Sequence, residues 1–345
     1  PLLSTGVDRP VSLFAYVALL DAGLAAVAVK KRWTYLLALG ALGTVAMEWG
    51  WFVRFFNDAK LLTGLGIFVV FVKLFTGAFA LAWRRGQIDR YTIAAPLAAA
   101  AAAVLFLLSL ILTPGARYGD HPNLLFGTLA VVDACLMGMV WLHGPLRKLQ
   151  AVAGAMAFGV LGLWTAQHLD PGLLGWALGL SLAFGLGHAV CALVLERFRP
   201  VPAQSHLPQV FSLLALGLML VPTLRLREVS FLLWPAVMCA DLLALAVAFM
   251  KRSAGAVIVA LLLTMGTLGS WIVHVPDLGE SLNRSLGLIL GFSGFFYAAV
   301  LFAMKRFVWL AAGRNEAGEE GESPSQVATL PPLAEAMVNS WTYSP

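Results

Sequence analysis

Eleven runs of about 20 mostly apolar residues fill most of this 345-residue chain. A helix of about 20 such residues is long enough to cross the hydrocarbon core of a bilayer. None of the runs alternates apolar and polar residues as a transmembrane β-strand does. We therefore predict an all-α integral membrane protein with about eleven transmembrane helices. The runs lie at about 10–30, 33–55, 60–84, 91–113, 122–143, 147–168, 173–196, 206–224, 229–250, 253–273 and 284–312.

The composition excludes an ordinary soluble protein. Hydrophobic residues make up 60% of the chain and charged residues 12%, whereas a typical soluble domain is about 25% charged. A soluble fold of this size cannot bury so much apolar surface. The net charge is +5, but the basic residues cluster between apolar runs instead of forming a stripe with aromatic residues. We therefore expect the lipid bilayer as a partner and no nucleic acid.

The basic clusters predict the orientation of the chain. Most of the 23 Lys and Arg residues follow odd-numbered runs or the last run. Because Lys and Arg are enriched in cytoplasmic loops, these loops are predicted to be cytoplasmic. The N-terminus is then outside, the C-terminus is cytoplasmic, and the membrane is the inner (plasma) membrane of a bacterium. The clusters lie at 30–32, 84–90, 147–148, 197–199, 251–252 and 305–306.

An internal repeat runs through the chain. A shift of 112 residues aligns PVSLFAYVALLDAGL (10–24) with PNLLFGTLAVVDACL (122–136). A weaker third copy, at a shift of 220, is indicated by an Asp and a following basic pair, and LGT at 42–44 is echoed by MGT at 265–267. An even number of helices per copy gives parallel units, unlike the inverted repeats of many transporters. We predict three tandem four-helix units, 1–113, 114–225 and 226–313, the third lacking its last helix, and a polar cytoplasmic tail or linker at 314–345.

The first 50 residues also carry a family resemblance. PLLSTG, followed by LFAYVALLDAGLAAVAVKKRW and LLALGALGTV, resembles the large polytopic inner-membrane proteins of bacteria that are described only as predicted membrane proteins. In that family P-L-L-x-S-T-G precedes L-F-x-Y-L-x-L-L-N-x-G and a basic cluster with Trp; Asp21 stands where the family often has Asn. The resemblance implies a many-helix array and a chain that is a fragment of a longer protein. It implies no reaction, cofactor or catalytic residue.

One Asp recurs near the middle of the first helix of each unit, at Asp21, Asp133 and Asp241. A carboxylate at the centre of a membrane helix costs about 2.5–3.5 kcal/mol, so its recurrence at one position calls for a reason. A functional interpretation is a proton or cation relay, or a path for a polar substrate. A structural interpretation is a hydrogen bond to a neighbouring helix that fixes the packing.

Three further polar residues are candidates for a buried site. Counting about 1.5 Å per residue from the outer helix ends places Asp21 about 16 Å deep and Lys73 about 19 Å deep. We therefore expect them to face each other, with Glu48 nearer the outer surface, either as a charged site or as an ion pair that holds three helices together. His188, the one mid-membrane His, is expected to be a hydrogen-bonding partner within the second unit. The alternative is a single axial ligand to haem.

The sequence favours no chemistry. It contains no Ser/His/Asp triad, HExxH motif or P-loop, and no loop gathers an acid, a base and a nucleophile. We predict no catalytic, cofactor-binding or metal-binding residues and no cofactor, and whether the protein is an enzyme stays open. The favoured function is a non-catalytic membrane scaffold or subunit of a membrane complex, with other membrane-protein subunits as partners. The alternatives are a transporter or lipid/polymer translocator that uses Asp21, Glu48 and Lys73, and a membrane enzyme acting on a lipid-linked substrate.

Overall fold

The computed structural model describes residues 8–113, 117–198, 206–226, 229–273, 283 and 286–302. Within these residues the regular structure is helical and no strand occurs. Ten helices in this part of the chain are long and apolar enough to cross a membrane. The prediction of an α-helical membrane protein is confirmed.

Nine of the first ten predicted runs each coincide with one long helix. The eighth run, at 206–224, coincides with two consecutive helices, α8 and α9. Pro222 explains the division, because it has no backbone N–H and its ring clashes with the carbonyl of Leu218, the residue at which α8 ends. The helices are α1 (Pro10–Lys31), α2 (Tyr35–Phe55), α3 (Leu61–Arg84), α4 (Arg90–Leu112), α5 (Pro122–Leu142), α6 (Lys148–His168), α7 (Leu174–Phe198), α8 (Leu207–Leu218), α9 (Leu220–Arg225), α10 (Leu233–Lys251) and α11 (Ala254–Val273).

The eleventh predicted run, 284–312, lies only in part within the described residues. There the chain forms a shorter apolar helix, α12 (Leu286–Phe302). The chain divides into two compact units, residues 1–287 and 288–345, and α12 provides nearly all of the described part of the second. The predicted tail at 314–345 lies outside the described residues.

The helices of the first unit stack as a series of hairpins in two rows. In one row α1 contacts α3, α3 contacts α5, α5 contacts α7 and α7 contacts α10. In the other row α2, α4, α6, α8 and α11 follow one another in the same way. Helices that are neighbours in the chain pack across the rows. The α1–α2 hairpin therefore stands at one end of the stack and the α10–α11 hairpin at the other.

The hydrophobic core lies in the middle hairpins. The apolar stretch of α4 is 61% buried inside the protein, whereas that of α1 is 17% buried. Phe68 on α3 and Phe106 on α4 stack with their ring centroids 4.4 Å apart, and both are fully buried. Burial of such large apolar side chains is the main packing contribution that this interface can make. The end hairpins instead keep wide apolar surfaces exposed.

Hydrogen bonds and ion pairs between helix ends fall into two sets, as expected if successive helices run in opposite directions. One set joins the ends that are predicted to lie outside, and the other joins the ends that are predicted to be cytoplasmic. The first contains Lys60–Asp8, Tyr118–Asp58 and His168–Ile111, and the second contains Thr34–Asp89, Arg147–Glu196 and Lys251–Glu196. No contact among these joins one set to the other.

Candidate functional site

Asp21 lies in the interface between α1 and α2, where it is 4% exposed. Its carboxylate accepts a short hydrogen bond from the hydroxyl of Thr44 on α2. Gly40, one turn earlier on α2, permits this approach: a Cβ there would lie 2.9 Å from Asp21 Oδ1. The first of the repeated carboxylates thus fastens two neighbouring helices.

Glu48 extends the same face of α2. It follows Thr44 by four residues, so both side chains point to the same side of the helix. The Glu48 side chain is 1% exposed, and its carboxyl lies close enough to Asp21 for an electrostatic interaction. Neither of its oxygens has a hydrogen-bond partner within the described residues. Burial of such a polar group without a partner is costly, so packing does not account for Glu48.

The predicted pair between Asp21 and Lys73 does not form. Lys73 is exposed on α3 and interacts electrostatically with Cys135 on α5. Similar depth in the membrane did not bring the two charges together, because the side chains project from their helices in different directions. Lys73 therefore does not belong to the buried site, which consists of Asp21, Thr44 and Glu48.

Asp133 lies on α5 and faces His188 on α7, the residue that the sequence predicts to be a hydrogen-bonding partner within the second unit. The Nε2 atom of His188 is 3.3 Å from Asp133 Oδ2, a distance suited to an ion pair, but the contact lacks hydrogen-bond geometry. The imidazole is 2% exposed and packs against the ring of Phe211 at 4.9 Å between centroids. Phe158 and Phe184 lie near the same ring. This arrangement joins α5, α7 and α8.

Asp241 repeats the contact of Asp21 in the α10–α11 hairpin. It is fully buried, and the hydroxyl of Thr264 lies 2.7 Å from its Oδ1 and 2.9 Å from its Oδ2. In both hairpins the Thr follows the Asp by 23 residues. The alignment of LGT at 42–44 with MGT at 265–267 was wrong by three residues, since Thr267 instead donates to the Leu263 carbonyl of its own helix.

Aromatic pairs accompany these carboxylates, and sequence reasoning missed them. In each of three hairpins a ring on the first helix meets a Trp on the second in an edge-to-face arrangement, with centroids 5.2–5.8 Å apart. Such pairs add about 0.5–1.5 kcal/mol beyond area burial. The alignment of the first helices contains part of this signal, because it places Phe14 on Phe126. The pairs are Phe14–Trp51, Phe126–Trp164 and Trp234–Trp271.

The helix ends that are predicted to be cytoplasmic carry a second cluster of charges. Glu196 on α7 accepts from Lys251 on α10 and lies 3.3 Å from a guanidinium nitrogen of Arg147, which precedes α6. All three side chains are mostly buried, so the cluster ties three helices at one level. Sequence reasoning used both basic residues only as topology signals.

The chemistry available at these sites is that of carboxylates, hydroxyls and one imidazole, joined in the Glu196 cluster by an ammonium and a guanidinium group. Within the described part of the chain, no group of three or more His, Cys, Asp or Glu side chains is arranged to hold a metal ion. No protein-family model, curated protein or solved structure matches the chain.

Proposed function

We propose that the protein is a non-catalytic scaffold or subunit of a membrane complex. The observation that carries the proposal is the use of the repeated carboxylates. Asp21, Asp133 and Asp241 each contact a polar side chain of another helix, and each contact lies within or between neighbouring hairpins. Interhelical polar contacts of this kind hold membrane helices in a fixed arrangement. A rigid stack of hairpins suits a component on which other subunits assemble.

The end of the stack offers a surface for such a partner. The helices α1 and α2 have their buried residues on the side that packs against each other and against α3 and α4. Away from that side they expose large apolar residues, among them Leu19 at 72% and Leu39 at 62%. Each inner hairpin is covered on both sides by its neighbours, and α1–α2 is covered on one side. A membrane-spanning helical subunit would continue the stack here.

Three tandem units are part of the proposal. The Asp–Thr contact and the edge-to-face aromatic pair recur at a separation of 220 residues in the α1–α2 and α10–α11 hairpins. The ends of α1 and α10 recur as well: Arg32 and Arg252 both adopt a left-handed conformation, with φ of 62° and 53°. These recurrences support the unit boundaries predicted from the sequence. The bacterial inner membrane, the outside N-terminus and the family resemblance stay predictions.

The alternative functions rest on fewer residues than the sequence suggested. A transporter or translocator would have to use Asp21 and Glu48 without Lys73, since Lys73 lies outside their interface. A membrane enzyme acting on a lipid-linked substrate has no observation in its favour among the described residues. Within the described residues, Glu48 is the buried carboxyl of which both oxygens lack a hydrogen-bond partner, and the packing role leaves it unexplained.

The test is purification of the full chain in a mild detergent, followed by mass spectrometry of the intact complex. The wild type is compared with Leu19→Trp, on the open side of α1, and with a matched control, Leu186→Trp, on the exposed side of α7. Both residues are exposed Leu side chains in the interior of apolar helices. The proposal expects a stoichiometric membrane-protein partner that is lost at least tenfold in Leu19→Trp and retained in Leu186→Trp. A chain that is monomeric in all three samples would contradict it.

A further inference from the structure

We propose that Asp21, Thr44 and Glu48 form a binding site for one small monovalent cation, H⁺ or Na⁺, between α1 and α2. The site is independent of the proposed scaffold role, because it concerns Glu48, a buried carboxyl that makes no hydrogen bond to any residue in the described part of the chain.

The burial of Glu48 and its lack of hydrogen-bond donors within the described residues point to a bound cation. Its side chain is 1% exposed, and neither carboxyl oxygen has a hydrogen-bond donor within the described residues. A buried oxygen acceptor without a donor is a rare and costly feature, and it calls for a bound ion, proton or water. Four oxygens of two carboxyl groups and one hydroxyl oxygen belong to the three side chains on this stretch of the interface. Oxygen ligands are what hard cations prefer.

The like charges of Asp21 and Glu48 also favour a bound cation. Asp21 and Glu48 are of like charge and interact electrostatically in a buried interface, so they repel unless a cation lies with them. No basic side chain of the packed helices supplies it within the described residues: Lys73 is exposed on α3, and α4 has no charged residue after Arg90. The remaining basic groups of these four helices lie at or beyond helix ends, namely Arg9, Lys30, Lys31, Arg32, Arg54, Lys60, Arg84, Arg85 and Arg90.

The third argument is a comparison within the chain. Asp241 and Thr264 repeat the Asp–Thr contact, but the residue four positions after Thr264 is the apolar Leu268, which is buried in place of a carboxyl. The hydrogen bond between Asp and Thr thus forms without a second carboxyl beside it. Glu48 adds a carboxyl that the equivalent hairpin does without, and a second carboxyl next to the first supplies oxygen ligands and negative charge for a cation.

The variants follow from this comparison. Glu48→Leu places a Leu where the equivalent hairpin has Leu268, four positions after Thr264, so the variant is expected to fold. Glu48→Gln keeps the size of the side chain. Replacing a buried charged group by a packed apolar one is often neutral or stabilising. The full chain is measured by infrared spectroscopy in a detergent without ester groups, in sodium-free buffer at pH 7 and then with added NaCl. Wild-type minus variant difference spectra isolate the carboxyl of Glu48.

If the cation is H⁺, the difference spectrum contains the C=O band of a protonated carboxyl, and NaCl leaves it unchanged. If the cation is Na⁺, NaCl removes that band or shifts the carboxylate bands at millimolar concentration, and Glu48→Leu abolishes the response. In either case Asp21→Asn is expected to move the Glu48 band, because the two groups share the cation. Carboxylate bands alone, insensitive to NaCl and to Asp21→Asn, would overturn the proposal.

Discussion

Thr44 on α2 donates a hydrogen bond to Asp21 on α1, and both residues lie in the interior of their helices. The same relationship recurs between Thr264 on α11 and Asp241 on α10, and in both cases the donor follows the acceptor by 23 positions. A carboxylate deep in an apolar helix is tolerated when a partner from another helix satisfies it. The two contacts therefore explain why a costly residue recurs in this chain.

Thr44→Val and Thr264→Val should each destabilise the protein. Each removes the hydroxyl donor and leaves a buried carboxyl without its partner, which we expect to lower the free energy of unfolding by about 1–2 kcal/mol. The measurement is reversible unfolding by denaturing detergent, followed by circular dichroism. Thr267→Val is the matched control, because Thr267 bonds only to a carbonyl of its own helix. An equal loss in all three variants would show that the Asp contacts contribute nothing particular.

Gly185 and Gly187, both on α7, should respond to alanine in opposite ways. A Cβ at Gly185 would lie 2.5 Å from the Cβ of Ala215 on α8, whereas a Cβ at Gly187 meets nothing within 4 Å. We expect Gly185→Ala to separate α7 from α8 and to cost about 1–3 kcal/mol. Gly187→Ala should stabilise the helix by about 0.5–1 kcal/mol. Apparent melting temperatures in detergent test the pair, and a stabilised Gly185→Ala would refute the close α7–α8 packing.

Glu196→Gln should loosen the contact between α6, α7 and α10. The substitution removes the charge that faces both Arg147 and Lys251, and hydrogen bonds to charged groups are worth about 1.5–3 kcal/mol when buried. We expect a loss in this range, measured by detergent unfolding. A double-mutant cycle with Lys251→Met separates the pairwise contribution from other effects. Additive losses in the cycle would mean that Glu196 and Lys251 are not coupled.

Asp89, at the helix ends that are predicted to be cytoplasmic, should make the stability of the protein depend on pH. Burial raises the pKa of the Asp89 carboxyl. Hydrogen bonds from Thr34, from Thr92 and from the backbone of Tyr91 have a larger opposite effect, so the pKa of Asp89 lies below its ordinary value of 3.8. The lowered pKa means that the ionised form is favoured in the folded protein. Its stabilising contribution is therefore present above the ordinary pKa and is lost as the pH falls through the folded value.

Asp89→Asn should remove that acid-sensitive contribution, because Asn still caps α4 but does not ionise. Asp89→Ala should also lose the helix cap, at about 0.5–2 kcal/mol at every pH. The measurement is apparent melting temperature between pH 3 and pH 7, with wild type and both variants in one detergent. A wild-type curve that parallels that of Asp89→Asn throughout would contradict the assignment.

The helices were predictable because apolar length is a local property of the sequence. The bounds of α3 and α7 differ from the predicted runs at 60–84 and 173–196 by one or two residues. The division between α8 and α9 is also local, since Pro222 interrupts the helix, but a run of apolar residues does not reveal it. The recurrence of Asp21 was likewise visible as a pattern.

The partners of the carboxylates could not be predicted in the same way. Depth along a helix is fixed by residue number, but direction around the helix depends on how the helices are rotated against one another. Lys73 has the depth expected of a partner for Asp21, but its side chain is exposed on another side of α3. Thr44 has no distinguishing feature in the sequence, and only the rotation of α2 relative to α1 places its hydroxyl next to the Asp21 carboxylate. His188 was expected to be a hydrogen-bonding partner within the second unit, and its Nε2 lies 3.3 Å from Asp133 Oδ2 without hydrogen-bond geometry.

The central claim, that the α1–α2 end of the stack carries another membrane subunit, is tested most directly by site-specific photo-crosslinking in cells. A photoreactive amino acid replaces Leu19 on the open side of α1 or, as the control, Leu186 on the exposed side of α7. We expect a protein–protein adduct of defined mass from position 19 and only lipid adducts from position 186. Lipid adducts alone from both positions would contradict it.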